Sequence, residues 1–128
     1  MKIIQSYPPN FEKIREKFDP PRNTVFAYGD TIFAPDGVNL SEDLIVHESV
    51  HCKQQGGDID GWWKRYMEDE QFRLSQEVEA YREQYKFFKK HSKDRNSHAR
   101  FIHRIAGDLC SGMYGSIISY SEAINKIK

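Results

Sequence analysis

Leu44-Ile45-Val46-His47-Glu48-Ser49-Val50-His51 is the stretch that decides how this chain folds. Its last five residues read H-E-S-V-H, a match to H-E-x-x-H. On an α-helix, positions i and i+4 lie about 40° apart around the axis and roughly one turn along it. His47 and His51 can therefore aim two imidazoles at one point. Zinc accepts imidazole nitrogen at about 2.0–2.1 Å in tetrahedral geometry. Glu48 follows the first histidine directly. It can stand beside a metal without ligating it and take a proton from water there.

The surroundings fit a helix that carries the motif in its middle. Ser41 is placed to cap it, and Glu42 and Asp43 fall in the first turn, where acids complement the helix dipole. Leu40, Leu44, Ile45, Val46 and Val50 give it apolar flanks, and Gly56-Gly57 ends it.

Composition sets the outer limits. The chain has 128 residues, of which 38% are apolar, 30% charged and 13% aromatic. That balance suits a single domain, residues 1–128, with a modest core in which aromatic rings carry much of the packing. Nineteen basic and 19 acidic side chains give a formal net charge of zero, which argues against a nucleic-acid partner held by bulk electrostatics. No apolar run approaches the roughly 18 residues a membrane helix needs, so no membrane association is expected. The apolar patch in Met1–Tyr7 is too short for a signal peptide. Two cysteines, Cys52 and Cys110, make no disulfide framework, and a reducing cytoplasm fits them best. Cys52 stands about 100° around the helix from His51, so it is expected to pack away from the metal.

Along the chain, residues 2–7 form a short strand that Pro8-Pro9 breaks. Asn10 is placed to cap a helix over 11–18, with Phe11, Ile14 and Phe18 on one face. Two runs rich in β-formers follow, Thr24–Tyr28 and Thr31–Ala34, around the turn dipeptide Gly29-Asp30; one bent strand with a bulge at Gly29 is the alternative. Pro35-Asp36-Gly37 turns the chain into the motif helix. Asp58 to Gly61 reads as a polar connection, and Trp62–Met67 as a short amphipathic helix. Trp62 and Trp63 point to different faces, so one is expected in the core and the other at a cleft or partner surface. Ser75–Lys90 is a strong helix, with Leu74, Val78, Tyr81, Tyr85 and Phe88 near one face. The basic run Lys89–Arg100 reads as a solvated linker, because no aromatic residues interleave it for stacking on bases. Helical spacing returns over Arg100–Cys110, and Ser119–Glu122 forms a capping box for a last helix.

A catalytic zinc takes three protein ligands and leaves one position open. The downstream histidines are His91, His98 and His103. The metzincin extension H-E-x-x-H-x-x-G-x-x-H fails, because Gln54 and Gly57 occupy its glycine and final histidine positions. Gln76-Glu77-Val78-Glu79-Ala80-Tyr81 is a better source of a third ligand. Glu77 lies 26 residues beyond His51 (77 − 51), enough chain for an antiparallel return across the motif helix. Glu77 and Glu79 stand about 200° apart on that helix, so only one of them can face the metal.

HESVH followed by a helix bearing Glu-x-Glu-Ala resembles the gluzincin metallopeptidases, especially their compact members. The resemblance covers roughly residues 24–90. The chain is also similar to small metallopeptidase-like proteins of bacteriophages and prophages. The resemblance implies an α+β, zincin-like domain: a small antiparallel sheet packed on the motif helix, with the second ligand-bearing helix running across it. It implies Zn2+ held by His47, His51 and Glu77, which matches the family's E-x-x-A ligand position, with Glu79 as the other candidate. Glu48 is the implied general base, acting on water at the zinc in the hydrolysis of peptide bonds. The implied oxyanion donor is a Tyr or His beyond the ligand helix, for which Tyr114 and His103 are candidates. A peptide or protein substrate would pair with the strand Thr31–Ala34 along the cleft. Tyr81 departs from the pattern, standing where many relatives carry an Asp that orients a ligand histidine. Two other classes compete: a catalytically idle zinc-binding module that binds a peptide or protein partner, and a metal-free interaction protein using its Trp62-Trp63 helix.

Overall fold

Turn chemistry at Gly29-Asp30 sets the frame of the sheet. Gly29 takes φ 69°, a left-handed conformation that glycine adopts freely, at the first central position of a two-residue hairpin. The computed structural model describes residues 1–128. The hairpin joins β2 (Phe26–Tyr28) to β3 (Thr31–Phe33) with Tyr28 opposite Thr31, which excludes the bent-strand alternative. The first strand, β1 (Lys2–Ile4), pairs with the other edge of β3, Ile3 opposite Ile32.

The sheet order is therefore β1-β3-β2, and β1 runs parallel to β3. This corrects the expectation of an all-antiparallel sheet. A parallel pair needs a long crossover, and the segment between β1 and β2 supplies one. It contains α1 (Phe11–Phe18), which presents Phe11, Ile14 and Phe18 to the core as expected. The same order puts β3 in the middle of the sheet. Thr31–Ala34 is thus not an edge strand, and β2 takes that place. The first strand is also shorter than expected, because the chain bends at Gln5-Ser6. Asn10 does not cap α1 with its side chain. The carbonyl of Pro8 accepts from the N–H of Phe11 instead, at 3.1 Å.

The motif helix, α2, spans Glu42–Gln55, and the Ser41 hydroxyl accepts from the N–H of Leu44 at its start. Gly56, at φ 52°, ends it. The next helix, α3 (Ile59–Glu68), begins earlier than the sequence suggested. Asp58 caps it by accepting from the N–H of Gly61. A Cβ at position 61 would overlap the Asp58 carboxylate as it stands, so any larger residue there would make the cap shift. Asp69 likewise accepts from the N–H groups of Gln71 and Phe72 and starts α4 (Glu70–His91) five residues before the expected Ser75. Asp94 starts α5 (Arg95–Leu109). The basic run is consequently helical on both sides of Ser92–Asp94 and is not a linker. After a 3-10 turn at Gly112–Tyr114, Ser119 caps α6 (Tyr120–Ile127) as the sequence indicates.

One apolar cluster joins these elements, built from Ile14, Phe26, the Trp62, Trp63 and Tyr66 rings, Ile105, Leu109 and Ile127 among others. Both tryptophans are buried, which corrects the expected division between core and surface. Each indole N–H finds an acceptor: Gln76 for Trp62 and the carbonyl of Ala27 for Trp63. No helix is long and apolar enough to cross a membrane.

Gln55 ties the sheet to the end of α2. Its buried amide accepts from the N–H of Gly29 at 2.6 Å and donates to the carbonyl of Ala27 at 2.8 Å. Gln55→Ala leaves the Gly29 N–H without its partner. We expect a loss of about 2 kcal/mol in chemical denaturation, the cost of one buried unsatisfied donor plus a bond.

Candidate metal centre

The contacts between α2 and α4 run in opposite order along the two helices. Asp43 and His47 meet Gln84, His47 and His51 meet Glu77, and Gln54 meets Gln76 and Glu79. The helices are therefore antiparallel, and the return across α2 read from the sequence is present. His47, His51 and Glu77 converge, all buried, with ligand atoms within 4.8 Å of one another. The Glu77 carboxylate divides between the histidines: Oε1 lies 3.1 Å from His47 Nε2 and Oε2 lies 3.2 Å from His51 Nε2. Atoms on a tetrahedron around a metal at 2.0–2.1 Å stand about 3.3 Å apart, close to both of these separations, so the three residues could close on an ion. His51 Nε2 is buried and has no hydrogen-bond partner of acceptable geometry, the state of a nitrogen shaped for a ligand other than a proton acceptor. Glu79 faces outward and accepts from Gln54, so it is not in the group.

Two glutamines orient the imidazoles. Gln84 Nε2 donates to Asp43, and a carboxylate can only accept. The amide oxygen of Gln84 is thereby turned to His47 Nδ1, at 2.9 Å. Gln54 repeats the device. Its Nε2 donates to Glu79 and to the carbonyl of Gln76, and its oxygen faces His51 Nδ1 at 2.8 Å. Each Nδ1 therefore carries hydrogen, and each Nε2 is directed at the shared point. Tyr81 packs its ring edge-on to His47 with centroids 4.4 Å apart. Tyr66 donates to Glu77 Oε2 at 2.6 Å and fixes the carboxylate from the far side.

Gln54, Gln84 and Tyr66 are site residues that the sequence reading missed. Gln84 lies seven positions beyond Glu77 on the same helical face, and Gln54 three beyond His51; that spacing was the available signal. Glu48 is buried, with Oε2 3.7 Å from His47 Nε2, and contributes no atom to the group. The Tyr114 hydroxyl lies 2.8 Å from that of Tyr81, and both Tyr114 and Glu48 border the cleft outside His47. His103 is exposed and bonds to Tyr120, away from the cluster. His91 and His98 bond to backbone carbonyls at the far end of α4. Cys52 sits near the carbonyl of Thr31 and outside the group, as expected, and both thiols are free.

The electrostatics follow from burial and proximity. Burial alone would push the His51 pKa down; the Glu77 carboxylate 3.2 Å away, with help from Glu48 and Gln54, raises it to about 9. Burial alone would raise the Glu77 carboxyl, but the two imidazoles hold it well below the usual carboxylate range. Burial lifts Glu48, against the pull of both histidines. No family model, curated protein or solved structure matches the chain.

The His51–Glu77 attraction is one interaction felt by both partners, and it gives the metal-free protein a bounded stability window. The His51 contribution is full below 6.5, its unperturbed value, and is lost as pH rises toward 9. The Glu77 contribution is full above 4.5 and is lost as pH falls below it. Thermal melts in chelator should therefore peak between these limits and decline from pH 6.5 to 9, and Glu77→Gln should flatten the alkaline decline. A metal must displace the His51 proton, so affinity should strengthen over the same alkaline range. In zinc titrations Glu77→Gln should weaken binding at least about tenfold, and Glu79→Gln much less.

Proposed function

We propose that this chain is a zinc-dependent peptide hydrolase of gluzincin type. The observation that carries the reading is Glu48, a buried acid beside a three-residue metal-binding group to which it adds no ligand. A structural zinc site takes four protein ligands and has no use for an adjacent base. Here His47, His51 and Glu77 are the whole group, and Cys52 is turned elsewhere. Two imidazole nitrogens and one carboxylate oxygen suit zinc among the common divalent ions.

Bound there, zinc would acidify a water molecule and polarise a substrate carbonyl. The chain supplies the rest. Gln54 and Gln84 hold the imidazoles in the tautomer that leaves Nε2 free. Tyr66 and the two histidines keep Glu77 ionised. Glu48, its pKa lifted by burial, takes the proton from the attacking water and hands it to the departing amine. Tyr81 and Tyr114 share one hydrogen bond between their hydroxyls. When Tyr81 is its donor, the Tyr114 hydrogen is free to bond an oxyanion in the cleft. Thr24 and Val25, which lead into β2, line the same cleft and are the stretch a peptide can pair with, in place of Thr31–Ala34. The free thiols support a reducing compartment such as the cytoplasm.

Glu48→Gln removes the base and leaves the ligands. Zinc content should stay at one equivalent while peptide hydrolysis falls by at least about a thousandfold, within the range assigned to general-base loss together with lost positioning of water. Undiminished turnover in that variant would exclude Glu48 as the base, whereas zinc binding with no hydrolysis by the unmodified protein would favour the idle zinc-binding module.

A further inference from the structure

Two spaces meet at the metal-binding group, and they differ in size and chemistry. The inner one has a volume of about 60 Å³ and is walled by Ile14, Phe18, Trp62, Trp63 and Tyr66. The outer one has a volume of about 550 Å³ and runs between Asn23–Val25, the first turn of α2, and Arg104 and Asp108 on α5. Thr24, Val25, His47, Glu48, Met113 and Tyr114 border both. A bond that reacts beside Glu48 therefore has one flank in each space.

The inner space has room for one small group. An engineered apolar cavity of about 150 Å³ admits benzene, so a space less than half that size takes a methyl or isopropyl group and excludes a phenyl ring. Its inner wall, formed by Ile14, Trp62, Trp63 and Tyr66, is buried. Backbone pairing is closed off on that side as well. The carbonyl of Ala27 already accepts from Gln55 and Trp63, so the outer edge of β2 is occupied beyond Val25. A space of this volume leaves no room for a peptide backbone to continue inward past Tyr66.

Charge indicates which chain end belongs there. Arg73 is 2% exposed, enters no ion pair, and its Nε has no partner. Its guanidinium lies 5.0 Å from the Phe18 ring centre and 5.8 Å from that of Tyr66, against two rings that wall the inner space. A buried cation without a counter-charge favours an anion nearby. Glu48 and Glu77 offset a divalent ion, which leaves the Arg73 charge uncompensated. A terminal carboxylate relieves this imbalance and a terminal ammonium worsens it.

We propose that the inner space receives the side chain of a peptide's C-terminal residue, no larger than that of valine, with the terminal carboxylate at its mouth and the preceding residues in the outer cleft. The inference rests on the hydrolase reading above. The reaction is removal of a single residue: the last C–N bond breaks, the hydroxyl of water joins the acyl carbon, and its proton passes through Glu48 to the new amine. No redox partner is needed. Phe18 sets the size limit and Arg73 the preference for an acid.

The test uses the zinc-loaded full chain and N-acetylated pentapeptides ending in Ala, Val, Leu or Phe, each as free acid and as amide, with products read by mass spectrometry. Loss of one residue from the Ala and Val acids, at least about tenfold faster than from the others, is the expected result (about 1.4 kcal/mol of discrimination). Internal cleavage, or equal rates for acids and amides, overturns this inference and leaves the hydrolase reading standing. If no peptide is cleaved, binding decides. Acetyl-Gly-Ala, acetyl-Gly-Phe and acetyl-Gly-Ala-amide are titrated into the metal-free Glu48→Gln protein while the tryptophan indole N–H signals are followed. Tenfold tighter binding of the first supports the inference, and equal binding overturns it. Phe18→Ala, at a partly exposed position, should admit Leu and Phe ends. Arg73→Met should erase the preference for acid over amide without lowering the melting temperature, since it removes an unpaired buried charge. Unchanged selectivity in either folded variant also overturns the assignment of that residue.

Discussion

The Glu77 carboxylate, one oxygen given to His47 and the other to His51 and Tyr66, is the contact on which the rest of the molecule depends. It fixes the register of α4 against α2 and brings three helices, α2, α3 and α4, to one point. A buried carboxylate without partners is costly, and three polar partners turn that cost into a specific alignment of helices. Slipping α4 by one residue would rotate Glu77 by about 100° and strand three polar groups in an apolar core.

Around this contact the chain builds outward by pairs of acceptors and donors that allow one orientation each. Carboxylates at Asp43 and Glu79 set the glutamine amides, and the amides set the imidazoles. The outermost members of these relays, Asp43 and Glu79, lie nearer the surface. The inner members are buried, where an error in orientation would be expensive. The three buried rings of α3 then cover the cluster, with Trp62 5.4 Å and Tyr66 6.5 Å from the His51 ring. Exclusion of water strengthens the polar contacts within.

Much of this arrangement was legible in the residue string, and what was not has physical causes. The limits of α2 could be read because Ser41 and Gly56 are strong end signals and the motif fixes its face. The convergence of His47, His51 and one acid of α4 could be read because the helical period lets only one of Glu77 and Glu79 face the metal, and the resemblance in the E-x-x-A pattern pointed to Glu77. The starts of α3, α4 and α5 were misplaced because each is set by an aspartate cap: Asp58 directly after Gly56-Gly57, and Asp69 and Asp94 inside charged runs where no apolar period announces a helix. The glutamine relays depend on how two helices face each other, which spacing within one helix does not determine. The position of β1 escaped for a similar reason: a three-residue strand has too little pattern to reveal its partner or direction, and pairing with β3 settles both. Trp62 and Trp63 do diverge around the helix, yet the core reaches both sides of α3, so divergence did not imply exposure.

The mixed sheet has one more implication. Its β2 edge is occupied at Ala27 by a glutamine and an indole, whereas its β1 edge is uncovered and flanked by the exposed side chains of Met1, Ile3 and Ile4. Strand-to-strand adhesion between molecules, the usual hazard of open sheets, is thereby directed to the face remote from the cleft. Crowding or self-association along that border would lengthen the sheet and leave the buried cluster reachable.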